Sequence, residues 1–295
     1  MSESGNLIFG GELLYLVGKC AMVEFLDLER LVSRIDDGAS VALPPDYSGC
    51  AMSAVRLLIE RGVRNLKIIT VPQGGLQVDW LIGAGCVENL ESAAVTLGEH
   101  GLAPRFTDAV RTGSINMRDS TCPAIHAGLQ AAEKGLPFMP LRGIIGSDLL
   151  RYRPDWKTQN NPFADDDPIV LLPAIRPDVA LFHSPLADTD GNVWVGIRRE
   201  LMTMSHAAAT TLVTVEEVQS DSLLTDERTA AGVIPSMYIG GISVAKNGAW
   251  PVGLWGCYGA DHGNLKDYVK RATTTEGFNE YLNDYAQGSA VTSTP

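Results

Sequence analysis

Several stretches of this 295-residue chain carry residue types that could do chemistry. His183 and Ser184, with Asp178 shortly upstream, are the ingredients of an acyl hydrolase. Adjacent residues on a strand point to opposite faces, however, so they do not assemble a proton relay. Glu216 and Glu217 close the apolar run Leu212 to Val215. A strand end in an α/β sheet is where carboxylates project toward a ligand, but a solvated pair or a helix cap is the favoured reading. Asp165, Asp166 and Asp167 offer oxygen ligands to a cation, although neighbouring acids in a loop are ordinarily just solvated. Gly83-Ala84-Gly85 lacks the last glycine of a dinucleotide fingerprint, position 88 being Glu, and reads as a turn. The chain contains no GxSxG elbow, P-loop or HExxH. His126 and His206 fall on helices and read as packed or surface histidines. The five cysteines, Cys20, Cys50, Cys86, Cys122 and Cys257, are odd in number, far apart and without metal-ligand spacing. They are expected to be reduced thiols, with no metal site.

The stretch LFHSPLADTDGNVWVG, residues 181–196, sets a polar knot between two apolar runs. Asp190-Gly191 is a reverse-turn signal, Gly191 can supply a positive φ, and Asp188 or Asn192 can bond nearby backbone. The knot is expected to be a tight turn at the sheet edge, not a catalytic group.

The surrounding elements must position whatever chemistry exists. Phe25, Leu28, Leu31, Val32 and Ile35 recur at helical spacing, Val41 to Leu43 reads as a buried strand, and residues 48–62 return to a helix that ends at Gly62. Leu66 to Val71 is a second strand. Gly74-Gly75 breaks the chain, Trp80 to Ile82 packs a short segment, and Ser92 to Thr96 reads as a further strand. Pro123 to Gly135 is helical, Leu136 to Leu141 a strand, and Arg151 to Asp167 a polar, proline-punctuated surface excursion. Ile169 to Leu172 and Val179 to His183 are strands, Met202 to Ala209 a helix and Leu212 to Val215 a strand. The stretch from Ile234 to Tyr258 is rich in Gly, Val and aromatics, and Leu265 to Tyr285 is an amphipathic helix. Strands alternating with helices predict an α/β fold, a doubly wound and mostly parallel sheet with flanking helices. Ligands then sit at the carboxyl ends of the strands, where Gln73-Gly74-Gly75 and Gly143 to Ser147 lie. The expected organisation is an N-terminal extension (1–21), one α/β domain (22–287) and a C-terminal tail (288–295).

Composition narrows the class further. Hydrophobic residues make up 45% and charged residues 20%, the balance of a folded globular protein. The net charge of −12 opposes binding to nucleic acid or to an anionic membrane, while leaving room for a local basic pocket at Arg142, Arg198 or Arg199. Glu12 and Lys19 interrupt the early apolar run and no basic leader precedes it, so it reads as neither signal peptide nor membrane span. A cytoplasmic location is expected.

One ordered set of motifs goes beyond local physics. ADTDGNVWVG, then SHAAATT, then LVTVEEV, resembles the ADxxGN…AA…VxxVEE order of family I coenzyme A-transferases, nearest to the A-subunit type of glutaconate coenzyme A-transferase. LPFMPLRGIIGSDL, NNPF and VLLPAIRPDVALFHS support it, and GCYGADHGNLKDYVKRATTTEGFNEYL is a looser match; the likeness runs from about Val23 to Tyr285. The resemblance implies an A subunit that pairs with a related B subunit as a heterodimer, often a heterotetramer, with coenzyme A as a substrate and no permanently bound cofactor. In such enzymes a glutamate attacks an acyl-coenzyme A thioester, forms an anhydride and then a glutamyl thioester, and passes coenzyme A to a second carboxylic acid. That glutamate belongs to the B subunit in a Glu-Asn-Gly setting; here the comparable text is Glu88-Asn89-Leu90, without the glycine. This chain would then complete the pocket with Gln73, Gly74, Gly75, Ser120, Arg142, Gly146 and Ser147, Arg142 holding a substrate carboxylate. Asp119, Cys122 and Arg142 are the weaker catalytic candidates. LPPDYSGCA, residues 43–51, departs from the glycine-rich basic loop of relatives. The departure leaves open a ring-opening acyl-coenzyme A hydrolase or an acyl-coenzyme A decarboxylase, and a non-catalytic scaffold subunit is a separate alternative.

Overall fold

A computed structural model describes residues 23–288 of the chain. The expected extension at 1–21 and the tail beyond position 288 lie outside the described residues. The centre is a ten-stranded sheet whose main path runs β1 (Glu24–Phe25), β13 (Gly241–Val244), β11 (Thr210–Gln219), β9 (Val179–Asp188), β2 (Ser40–Leu43), β3 (Leu66–Thr70), β4 (Val87–Ser92), β5 (Asn116–Asp119). Every neighbouring pair on this path is parallel. β10 (Val193–Trp194) lies antiparallel to β9 and to β12 (Val233–Ile234), closing the turn at Gly191.

Period-2 alternation builds two cores, one on each face. Val41, Leu43, Leu66, Ile68, Leu181 and Leu212 face one way. They pack against α1 (Leu28–Val32), α2 (Met52–Arg61), α3 (Leu76–Gly83), α4 (Pro104–Thr112), α9 (His262–Arg271) and α10 (Thr275–Gly288). Ala42, Ile69, Phe182, Val213 and Ile242 face the other way, against α5 (Cys122–Glu133) and α7 (Arg199–Ala207). Helices on both faces of a parallel sheet make the doubly wound architecture that the alternation predicts.

Several elements differ from expectation. Phe25 lies in the short edge strand β1, and the first helix covers only Leu28–Val32. Trp80 to Ile82 belong to a full helix, and the strand expected at 92–96 is in fact Val87–Ser92, its polar alternation masking it. The long C-terminal helix is two, separated at residues 272–274. The run at 136–141 and that at 169–172 leave the main sheet: β6 (Phe138–Leu141), β8 (Pro168–Pro173) and β7 (Lys157–Asn160) form a separate antiparallel sheet. The supposed surface excursion therefore contains α6 (Leu149–Tyr152), β7 and a buried anchor. Arg153 is only 4% exposed, bonded to Glu91 (2.8 Å), Asp155 and the carbonyl of Asp119, with its guanidinium 4.2 Å from the Trp156 ring. A buried arginine pairs carboxylates across segments distant in sequence, which periodicity cannot reveal. The short helix α8 (Glu227–Ala230) precedes β12.

Candidate active-site cleft

Loop 44–51 follows β2 and folds back over β9: the amide of His183 donates to the Gly49 carbonyl at 2.7 Å. Gly49 has φ +79°, and a Cβ there would stand 2.1 Å from the His183 carbonyl oxygen, so only glycine fits. The loop's acid turns inward. Asp46 accepts from the Leu76 amide (3.0 and 3.1 Å) and from the Cys50 thiol (3.5 Å), and a Cβ on Gly75 would meet its carboxylate at 2.2 Å. Asp46 keeps some exposed surface, yet enclosure by protein pushes its carboxyl up to about 6 against the opposing pull of the Leu76 amide. The amino end of α3, which follows Gly74-Gly75, is thus capped by the chain's own carboxylate.

Of its neighbours, Tyr47 is exposed and Ser48 is buried. The Ser48 hydroxyl donates to Glu200, in the first turn of α7. Arg198 donates to the Tyr47 carbonyl at 3.4 Å and lies 3.6 Å over the Trp255 ring. Burial and the charges of Glu200 and Cys122 raise the Tyr47 phenol, while burial lowers the His126 imidazole against the Glu200 charge. The tip of loop 44–51 and the starts of α5 and α7 therefore converge on one mouth. A cleft of about 410 Å³ opens beside it, lined by Asp46, Tyr47, Trp255, Cys257 and Tyr258 among others.

Glu216 lies behind the cleft, bonded by the lining residue Tyr258. It accepts from His183 Nε2 (2.8 Å), the Tyr258 hydroxyl (2.8 Å) and the amides of Asn247 (2.9 Å) and Gly248 (3.1 Å). Burial alone would raise its carboxyl, but bonds from His183, Asn247 and Tyr258 outweigh that and hold it low. Desolvation lowers the imidazole of the fully buried His183 against the opposing pull of Glu216, and its other ring nitrogen lies 2.8 Å from Thr214 Oγ1. Burial raises both the Tyr258 phenol and the Cys257 thiol. A carboxylate with this many donors is a weak nucleophile and a strong anchor for the 247–258 segment. The expectation of a solvated pair is corrected for Glu216; Glu217 is exposed. His183 and Ser184 do point apart, the Ser184 hydroxyl bonding the Trp194 carbonyl at 2.5 Å, and Asp178 binds Ser40.

The sequence-derived candidates scatter. Gly74 and Gly75 are buried in packing: Gly74 exchanges backbone bonds with Ala94 (2.8 Å) and Thr96 (3.1 Å), and Gln73 is half-buried beside them. Ser120 is buried after β5, its hydroxyl without a hydrogen-bond partner, while Asp119 and Cys122 are exposed on either side. Arg142, Gly146 and Ser147 lie on the small antiparallel lobe and do not line the cleft. Arg142 forms a bidentate pair with Asp167, holding that carboxyl down to about 2, and borders a different groove with Phe138 and Phe163. Of the acidic run, Asp167 is therefore an ion-pair partner and an acceptor for Asn161. Asp188 makes the expected turn, accepting from the Asn192 amide and side chain (both 2.8 Å), and also holds Leu223 (2.9 Å). Glu88 is exposed on β4 and bonded by Asn89, away from the cleft lining. Sequence reasoning missed Asp46, Ser48, Glu200 and Tyr258. Ser48 and Glu200 are 152 positions apart, so no local pattern joins them.

Comparison with known proteins adds the following. Residues 25–245 match the family described as Coenzyme A transferase. The chain is 29% identical to the A subunit of 3-oxoadipate CoA-transferase from Pseudomonas knackmussii, over 91% of its own length and 95% of that protein's. It is 30% identical to the A subunit of glutaconate CoA-transferase from Acidaminococcus fermentans, covering 79% of this chain and 78% of that one. The crystal structure of glutaconate coenzyme A-transferase from the same organism is similar, with a TM-score of 0.80 at 26% identity over 88% of each chain. A crystal structure of a variant of the decarboxylase AibA/AibB is similar at a TM-score of 0.81 and 29% identity, over 90% of this chain and 99% of that one.

Proposed function

Because the chain belongs to the coenzyme A transferase family, we propose that it is the A subunit of a heteromeric enzyme that moves coenzyme A between an acyl thioester and a carboxylic acid, with the attacking glutamate supplied by a B subunit. One observation carries the division of labour: Asp46, which lines the cleft, and Glu216, behind the cleft-lining Tyr258, are already engaged by donors of this chain. The chain's contribution is then to shape and bind. Glu200, held by the buried Ser48, and Arg198 stand at the mouth, where a thioester's polar groups and a carboxylate would need partners. Tyr47 and Ile197, 63% and 86% exposed beside that mouth, are the apolar surface that a partner polypeptide would cover. Arg142 is held by Asp167 and is not assigned the substrate carboxylate.

The test is expression of the chain alone and together with a candidate B subunit, followed by an assay of coenzyme A exchange between acids. Exchange is expected from the pair and not from the chain alone; exchange by the isolated chain overturns the assignment.

A second reading, an acyl-coenzyme A decarboxylase or hydrolase, is favoured by the structural likeness to AibA/AibB and by the Pro44-Pro45 loop with its inward Asp46. Product formation with no acceptor acid would select this reading, and strict dependence on an acceptor would remove it.

A further inference from the structure

Glu99 and His100, in the 3-10 turn Gly98–His100 after β4, meet His262 at the first position of α9. His262 Nδ1 lies 3.1 Å from His100 Nε2 and 3.0 Å from Glu99 Oε1, and Glu99 Oε1 lies 3.7 Å from His100 Nε2. We propose that these three side chains form a binding site for a first-row divalent cation, zinc being the probe that tests it, which clasps the 98–100 turn to the start of α9.

The geometry supports this in three ways. First, ligands about 2.0 to 2.1 Å from a tetrahedral ion stand roughly 3.3 Å from one another. The observed separations of 3.0, 3.1 and 3.7 Å bracket that value, so small side-chain rotations close the shell. Second, hydrogen bonding alone serves the trio poorly. A neutral imidazole nitrogen is either donor or acceptor, so in no neutral tautomer does each of the three facing atoms gain a good hydrogen bond of its own, whereas a cation uses all three lone pairs. Third, the ligands are pre-positioned. The His100 side chain is 6% exposed, and its turn is fixed by bonds between Leu97 and Gly101 (2.9 Å) and from the His100 amide to Leu97 (3.1 Å). His262 is fixed by Asp261, which caps α9 through the Asn264 amide at 2.9 Å. His262 and Glu99 face solvent, leaving the fourth position to water. Two imidazoles and one carboxylate suit zinc and its neighbours better than calcium or magnesium. The pairing joins segments 162 positions apart, which is why cysteine and histidine spacing gave no sign of it. His262 follows the 252–260 stretch that lines the cleft, so an ion would fix the far end of that lining without entering it.

Titration calorimetry and thermal unfolding with zinc chloride, on chelator-treated full-length protein, test the site. Wild type is expected to bind one zinc per chain and to unfold at higher temperature when zinc is added. His262→Gln, a change at a largely exposed side chain, is expected to bind at least about tenfold more weakly and to lose the thermal shift. Replacing the exposed thiols among the described residues, Cys122→Ser with Cys257→Ser, should leave binding intact. Absence of stoichiometric binding by wild type, unchanged binding by His262→Gln, or loss of binding in the thiol variant would each overturn the proposal.

Discussion

Glu216 and Glu200 show how two carboxylates on one edge of a sheet come to opposite uses. Glu216 gathers donors from His183, Tyr258, Asn247 and Gly248, and its charge is spent on holding the 247–258 segment. Glu216→Gln replaces an acceptor with an amide nitrogen that faces donors. A loss of about 2–4 kcal/mol of unfolding free energy is expected from urea titration. Glu200 instead shares the mouth with Ser48, Tyr47 and Arg198. Ser48→Ala removes one charge-assisted bond at a buried side chain, so a loss of about 1.5–3 kcal/mol of unfolding free energy is expected, and in the assembled enzyme turnover is expected to fall by roughly tenfold. Arg142→Ala on the small lobe is expected to lower turnover less than Ser48→Ala does, because Arg142 serves Asp167 and lies outside the cleft lining. Asp79 makes a titrating residue: buried beneath α4, it bonds the Tyr268 hydroxyl (2.5 Å) and the Phe106 amide (2.6 Å), and burial still pushes it up to about 6. A carboxyl raised on folding binds its proton more tightly in the native state, so stability is greatest below its unfolded pKa and falls as pH rises through about 6. Denaturant titrations from pH 4 to 7 should show Asp79→Asn removing roughly 2–3 kcal/mol of that decline.

At the scale of elements, the loop after β2 is fixed by contact at its glycine. Gly49→Ala would need a positive φ on alanine and a Cβ 2.1 Å from the His183 carbonyl oxygen. The variant is expected to unfold several degrees lower, or to lose the soluble fold, read by thermal denaturation. What was legible in the sequence follows from range. The strands β2, β3, β9 and β11 and the helices α2, α5 and α7 announce themselves by period, since one or both faces of each are apolar. The turn at Asp188 to Asn192 was legible because Gly191 and the flanking side chains act on their own backbone. The strand Val87–Ser92 was not, because its partly polar alternation reflects a sheet face that is only partly covered. The small antiparallel lobe was hidden for a different reason: runs such as Phe138–Leu141 and Pro168–Pro173 read as strands, but pairing partners are chosen in three dimensions. The candidate site suffered most. Asp46 with Leu76, Ser48 with Glu200 and His183 with Glu216 are tertiary pairs, so reasoning from single residues falls on glycines and on Arg142 instead.

For the whole molecule, the parallel sheet orders these pairs. The loops after β2 and β13 leave at the carboxyl edge, where β11 runs on past the end of β13 with Glu216, which is why residues as distant as Ser48, Glu216 and Tyr258 come together there. No helix among the described residues is long and apolar enough to cross a membrane. The rim is open and its own acids are largely engaged, as the proposed completion of the site by a second polypeptide requires. The direct test is to incubate the assembled enzyme with an acyl-coenzyme A, trap the covalent intermediate with hydroxylamine or borohydride, and map modified peptides by mass spectrometry. The account predicts modification of a glutamate in the partner polypeptide and none in this chain; modification of Glu200, or of any other glutamate of this chain, would contradict it.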